Sequence, residues 1–436
     1  MKRSLVLAGG GMRVAWQAGV VKALADEGLE FDHVDGTSGG ILTTAMLLSG
    51  VAPDEMIRRW RDVNVRNFSS ALPLRDYLKG PWNLPALSDA DGIVNKLFPA
   101  LGIDAARIRA GSLEGSFNVA NFTDKRSIAL DARDVDAELL AAGMSLPLFM
   151  TPLKRDGVTW TDAAWIRDAN VTEALRRGAE EVWLVWCVGN SPYWGDGPLE
   201  QYVHMIEMSA SGGLLFDFAI AEAAGREFVL HVVKPAHPLP LDPDFYLGRI
   251  DALTLIGMGY RDAVAYLSGR APAGVPADYT CTKMTDPPPG VRWTEKLSSG
   301  AVRALLTVWL PSEKGLSASV TGFIENPQWA HPAPLADGRL VVSDAGDSWT
   351  YAGRIRVDGE WVDVAVERHF GSGGSPWHER MNASLQVGAD RLDVRLGVPE
   401  AASLLASIEP FGAHGVFQRV NAVASVVQKS VRGLRH

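Results

Sequence analysis

An α/β domain built on a mainly parallel sheet with covering helices, followed by a smaller antiparallel β-rich domain, is the fold this sequence predicts. Three observations predict it. The N-terminal part alternates short apolar runs with helical periodicity, the tempo of strand–helix units in a parallel sheet. Residues 180–188, E-E-V-W-L-V-W-C-V, form a near-continuous apolar run, as a strand buried on both faces requires. Beyond a proline-rich stretch the pattern changes to short alternating runs punctuated by Asp-Gly pairs, the texture of hairpins.

Each element follows in order. Ser4 to Ala8 is a β-type run that ends in Gly9-Gly10-Gly11. Val14 to Glu27 reads as a helix, with Ala15, Ala18, Val21, Leu24 and Ala25 at helical spacing and Gly28 as its stop. Phe31 to Asp35 is a short strand, and Ile41 to Ser49 a second helix closed by Gly50 and Pro53. Residues 54–115 are mostly helical and irregular, with a cap-like apolar stretch at 66–101. Strands are expected at Ser116–Ala120, Arg126–Leu130 and Phe228–Val233, and helices at Gln201–Arg226 and Ile250–Leu267. The organisation is therefore a first domain at 1–270, a Pro-rich linker at 271–290, and a β-rich domain at 291–436 that ends in helices near 400–408 and 417–432.

Bulk properties narrow the function classes. A chain of 436 residues is too long for one ordinary domain, and 47% hydrophobic with 21% charged residues describes a globular protein. A net charge of −9 argues against non-specific nucleic-acid binding. Two distant cysteines, Cys187 and Cys281, make no disulfide framework, which points to a reducing, cytoplasmic setting. The apolar part of the start, Leu5 to Ala8, is too short for a signal peptide, and no uncharged run approaches the roughly 20 residues of a membrane span. The expectation is a soluble protein that meets membranes only at their surface.

The chemistry centres on D-G-T-S-G-G-I-L at 35–42, in which Ser38 is bracketed by Gly36 and Gly40. Such a G-x-S-x-G is either a strand-to-helix turn whose glycines manage strain or a nucleophile elbow that exposes the hydroxyl. An elbow needs backbone N–H groups to hold an oxyanion, and G-G-G-M-R at 9–13 offers them where a strand opens a helix. The same glycines approximate a dinucleotide fingerprint, although Val14 stands in place of its third glycine.

In its order of motifs the chain resembles the patatin-like phospholipases. G-G-G-M-R at 9–13 precedes G-T-S-G-G at 36–40, then A-A-G-M-S-L-P-L-F-M-T-P at 141–152, then Asp162-Ala163-Ala164. The likeness covers roughly residues 4–268. It implies a three-layer α/β/α fold and a Ser38–Asp162 dyad without a catalytic histidine. It also implies an oxyanion hole from Gly9, Gly10, Gly11 and Gly39, and a loop- or phosphate-positioning Arg13, whose structural alternative is a helix-start salt bridge. Phospholipid or another fatty-acyl ester would be the substrate, with transient membrane contact and no cofactor or metal.

Two departures stand out, since the family usually has glycine at Val14 and D-G-G or D-G-A where this chain has Asp162-Ala163-Ala164. Asp168 is the reserve candidate for the acid. His204, His231 and His237 follow Asp162 in the order an α/β-hydrolase triad would need. A small-ester esterase and a catalytically impaired lipid-binding protein of the same fold stay open beside the lipid hydrolase. For membrane contact, Phe68, Leu72, Leu74, Tyr77, Trp82, Leu84 and Leu87 of the cap-like stretch compete with a helical face of Val420, Ala424, Val427 and Val431, flanked by Lys429, Arg432 and Arg435.

Overall fold

The structure is a computed structural model, and it describes residues 1–63, 70–78, 80–240, 250–312, 317–343, 348–369, 382–395, 398–413, 419–422 and 424. Phe68 and the C-terminal positions Val427, Lys429, Val431, Arg432 and Arg435 lie outside the described residues. The chain divides into two compact units, Met1–Thr285 and Asp286–His436. Of the Pro-rich stretch, the part up to Thr285 packs on the first unit. Cys281 and Met284 join its core there, and the Met284 N–H donates to the Asn190 carbonyl at 2.8 Å.

Strands β1 (Arg3–Leu7), β2 (His33–Thr37) and β3 (Glu114–Asn121) alternate in the first unit with helices α1 (Ala15–Asp26), α2 (Gly40–Leu48) and α3 (Pro53–Asp62). Helix α3 begins on Pro53 with Asp54 and Glu55 in its first turn, residues that suit the positive end of a helix. Three short helices, α4 (Leu74–Tyr77), α5 (Phe98–Leu101) and α6 (Ala105–Ala110), fill the irregular region before β3. Then come β4 (Arg126–Asp131), α7 (Ala137–Ala142), β5 (Leu153–Arg155), β6 (Val158–Asp162), α8 (Val171–Arg176), β7 (Glu181–Val185), α9 (Pro198–Ala223), β8 (Val229–Val233) and α10 (Ala252–Gly269).

The sheet order is β5-β6-β3-β2-β1-β7-β8, with β4 also paired to β3. Strands β3, β2, β1, β7 and β8 run parallel, and β4, β5 and β6 add antiparallel pairs at one side. The unit is thus mixed α/β with a mostly parallel sheet. All five residues of β7 are buried, which explains its uninterrupted apolar sequence. The carboxyl ends of β1 and β2 lie side by side, with Leu7 opposite Gly36, and this juxtaposition brings the triple glycine and Ser38 together.

Antiparallel strands make up the second unit: β9 (Gly290–Ser299), β10 (Val302–Pro311), β11 (Ala318–Glu325), β12 (Ala333–Pro334), β13 (Ala336–Val342), β14 (Ser348–Val357), β15 (Glu360–His369), β16 (Asn382–Val387), β17 (Asp390–Arg395) and β18 (Glu409–Phe411), with a helix α11 (Val398–Ala406). Strand β9 pairs with β10 and also, through Ser298 and Arg395, with β17, so the meander closes into a barrel. Its core takes alternate residues, such as Val291, Trp293 and Leu297 of β9. Glu295 shares that face but is fully engaged: Arg368 Nη2 meets Oε2 at 2.5 Å, and Tyr351 and Trp293 donate to Oε1 at 2.7 and 2.8 Å. Among the described residues, no helix is long and apolar enough to cross a membrane.

Candidate active site

Ser38 lies in the short turn between β2 and α2, and its backbone adopts a left-handed φ of 53°. A non-glycine residue holds that conformation only where its surroundings over-determine it. Here the Ile41 N–H donates to the Ser38 carbonyl at 2.9 Å. The flanking glycines let the turn be tight. A Cβ on Gly36 would lie 2.4 Å from Thr44 Oγ1, and one on Gly40 only 2.2 Å from the Leu7 carbonyl oxygen. No larger residue fits at either place, so the serine is pushed out where strand gives way to helix.

Asp162 is the last residue of β6, held in register opposite Val119 of β3. Its Oδ2 accepts the Ser38 hydroxyl at 2.6 Å, while its Oδ1 accepts the Ala164 N–H at 2.8 Å. Burial pushes its carboxyl up to about 6, against the pull of those two hydrogen bonds. The departure at Ala163-Ala164 has a simple physical reason: neither residue takes a positive φ, so this turn makes no demand for glycine. Val14 is likewise accommodated, in right-handed helical geometry at φ −65° and fully buried.

The glycine loop leaves β1 and enters a 3-10 turn at Gly11–Val14. Its first amide is already taken, because the Gly9 N–H donates to the Asp168 carbonyl at 3.3 Å and to Asp168 Oδ2 at 3.1 Å. The amides of Gly10, Gly11 and Gly39 carry no such bond among the described residues. Arg13 turns its Nε back onto the Gly10 carbonyl at 3.0 Å and, among the described residues, makes no ion pair. The helix-start salt bridge is therefore not what it forms.

A cavity of about 260 Å³ opens on these groups. Gly10, Gly11, Arg13, Ser38, Gly39, Asp162 and Asp168 make its polar end, and Leu42, Met144, Leu146, Phe149, Val203 and Ile206 its apolar walls. That is near the lower end of small-ligand sites, roughly 300–1,000 Å³. The sequence singled out 141–152 as a motif without assigning its apolar residues to a cavity wall, and it missed Val203 and Ile206 of α9, since apolar positions on a long helix read as ordinary core. Among the described residues of the cap-like stretch, only Ile93 reaches the cavity.

Among the described residues, no histidine lines it. His204 accepts the Gly195 N–H at 2.9 Å and meets Glu207 at 3.0 Å. His231 is buried between Trp183, Tyr266 and Glu181. His237 is tied to the Thr285 carbonyl at 2.9 Å. The three histidines are thus structural in their contacts.

The first unit is an α/β domain with a serine–aspartate pair at the polar end of an apolar cavity. Residues 5–175 match the family model of the patatin-like phospholipases. Similar solved structures include the crystal structure of VipD from Legionella pneumophila, at 13% identity and a TM-score of 0.32, covering 61% of this chain and 66% of that one. No curated protein matches the chain.

Proposed function

We propose that the first unit is a lipid acyl hydrolase of the phospholipase A or lysophospholipase type, working through Ser38 and Asp162. The observation that carries the reading is the 2.6 Å hydrogen bond from the Ser38 hydroxyl to a buried carboxylate beside the loop amides. Ser38 Oγ attacks the ester carbonyl as its proton passes to Asp162. The amides of Gly10, Gly11 and Gly39 receive the oxyanion, and the start of α2 adds its positive end. Gly9 is left out of that hole, because Asp168 occupies its N–H. Collapse of the tetrahedral intermediate expels the alcohol, which takes the proton from Asp162. Asp162 then deprotonates a water that hydrolyses the acyl-enzyme. Arg13, at the cavity's polar end, is placed to meet a phosphate, and the apolar walls suit an acyl chain.

A fluorophosphonate probe tests the nucleophile directly. The expected result is a single adduct mapped to Ser38, absent in Ser38→Ala. Folded protein that carries no adduct at Ser38 overturns the reading.

Preference for lipid over small esters is supported by large apolar side chains exposed on the first unit. Trp82 is 95% exposed and Leu148 61%, and Leu87 hydrogen-bonds through its N–H to the Leu148 carbonyl. Leu148 also holds a left-handed φ of 80°, unusual for a branched apolar residue left in the open. Tryptophan and leucine in such positions favour a lipid interface. Trp82→Ala is expected to lower vesicle binding and hydrolysis of aggregated lipid several-fold. Turnover of a short soluble ester should stay close to wild type. Equal losses on both substrates would remove the cap from the membrane-facing surface.

A further inference from the structure

We propose that Asp168 is a positioning residue that works as an uncharged carboxyl, clamping the glycine loop beside Ser38 while Asp162 alone carries the site's negative charge. The inference rests on the Ser38–Asp162 reading above.

Geometry shows the clamp. Asp168 grips the Gly9 N–H with both its backbone carbonyl, at 3.3 Å, and its Oδ2, at 3.1 Å. Its Oδ1 fills the place a Cβ would take on Gly9, a point 2.2 Å from that oxygen and 2.9 Å from Ser38 Cβ. The carboxyl is thus wedged between the loop and the serine. From the opposite side the Cys187 thiol donates to the Gly9 carbonyl at 3.0 Å, so the first glycine is fixed through both of its backbone polar groups.

The charges around it favour the neutral form. Asp168 is buried and lines the cavity. The ionisable groups facing it are Asp162 from the end of β6 and Arg13 from the 3-10 turn, while its neighbour Arg167 turns away to Asp217 at 2.9 Å. Arg13 is the only cation acting on it among the described residues, and its Nε is bonded to the Gly10 carbonyl rather than to the carboxyl. Burial first, and the Asp162 charge second, push the Asp168 carboxyl up to about 8, whereas Asp162 stands at about 6. Two carboxyls so separated divide their work: one ionises to accept a proton, the other stays neutral. The assignment also has a reason in the reaction. Attack by Ser38 moves the site's negative charge from Asp162 to the oxyanion beside the loop amides, and a carboxylate at Asp168 would oppose it there, where low dielectric magnifies repulsion. The Asp168 proton itself does not move.

The test is the pH profile of turnover on a short soluble ester, with the full-length chain and its Ser38→Ala, Asp168→Asn and Asp168→Ala variants. Wild type is expected to rise through about pH 6 and fall through about pH 8. Asp168→Asn keeps an acceptor for the Gly9 N–H without a titrating proton. It should cost a few-fold at pH 7 and lose the alkaline limb while keeping the acidic one. Asp168→Ala removes the side-chain grip and should lower kcat by about tenfold or more, with KM changing less. An alkaline limb that persists in Asp168→Asn overturns the proposal, even if Asp168→Ala fails to fold. So does a wild-type profile that stays flat to pH 9. Turnover that survives in Ser38→Ala would instead overturn the nucleophile, a different failure read from a different variant.

Discussion

Asp162→Asn lowers acyl turnover by about 10²–10⁴ while the protein gains stability at neutral pH. The amide is nearly the size of the carboxylate but takes up no proton, so the base is lost and the shape kept. Its oxygen continues to accept the Ala164 N–H, and its NH₂ then points at the Ser38 hydroxyl and ties up the attacking lone pair. The stability gain follows from burial. Asp162 is raised from 3.8 to about 6 in the fold, so the folded state binds this proton more tightly than the unfolded chain does. Above both values the ionised side chain costs the fold on the order of 2–3 kcal/mol, and below both it costs nothing. Tm of Asp162→Asn should therefore exceed wild type at pH 7, and the two should converge near pH 3.5. A variant with near-normal turnover, set against a dead Asp168→Asn, would transfer the base to Asp168.

How much of this site was legible in the sequence depends on what each part asks of its residues. The elbow was legible because tight backbone approach admits only glycine, and Gly36 and Gly40 leave that requirement visible in the chain. The parallel core was legible in β7, whose two buried faces remove every polar residue from its middle. Strands β5 and β6 were not, since three and five residues of mixed polarity give no periodicity to read. Closure of the barrel was also hidden. Period-two alternation reports a strand, but the pairing of β9 with β17 joins residues about a hundred apart through one register contact. The role we assign to Asp168 depends on burial and on a like charge across the sheet edge, neither of which a single sequence displays. Ala163 and Ala164 teach the converse: they departed from a motif, yet the backbone there has negative φ and alanine serves.

Gly40→Ala should destabilise the first unit by about 3 kcal/mol or more and lower turnover at least as sharply as any change in the cavity wall. Propensity alone argues the other way, because alanine in a helix is worth about 1 kcal/mol over glycine. Sterics decide. The new Cβ would lie 2.2 Å from the Leu7 carbonyl oxygen and 2.7 Å from that of Ala8, far inside a contact distance of roughly 3.5–4.0 Å. Both obstacles are backbone, at the end of the strand that pairs with β2 and β7, so neither can rotate away. Relief requires α2 to slide off β1. Ser38 lies two residues before Gly40 and the triple glycine starts two residues after Leu7, so the slide separates the hydroxyl from the amides proposed to serve it. Gly212→Ala provides the contrast within the same unit: it lies in α9, where an added methyl would meet nothing within 4 Å, and it should be neutral or stabilising by up to about 1 kcal/mol. Urea unfolding and ester turnover, measured on both variants, separate the two effects. Wild-type stability in Gly40→Ala would mean that α2 does not rest on the end of β1, and the account of why Ser38 is held out at the turn would fall with it.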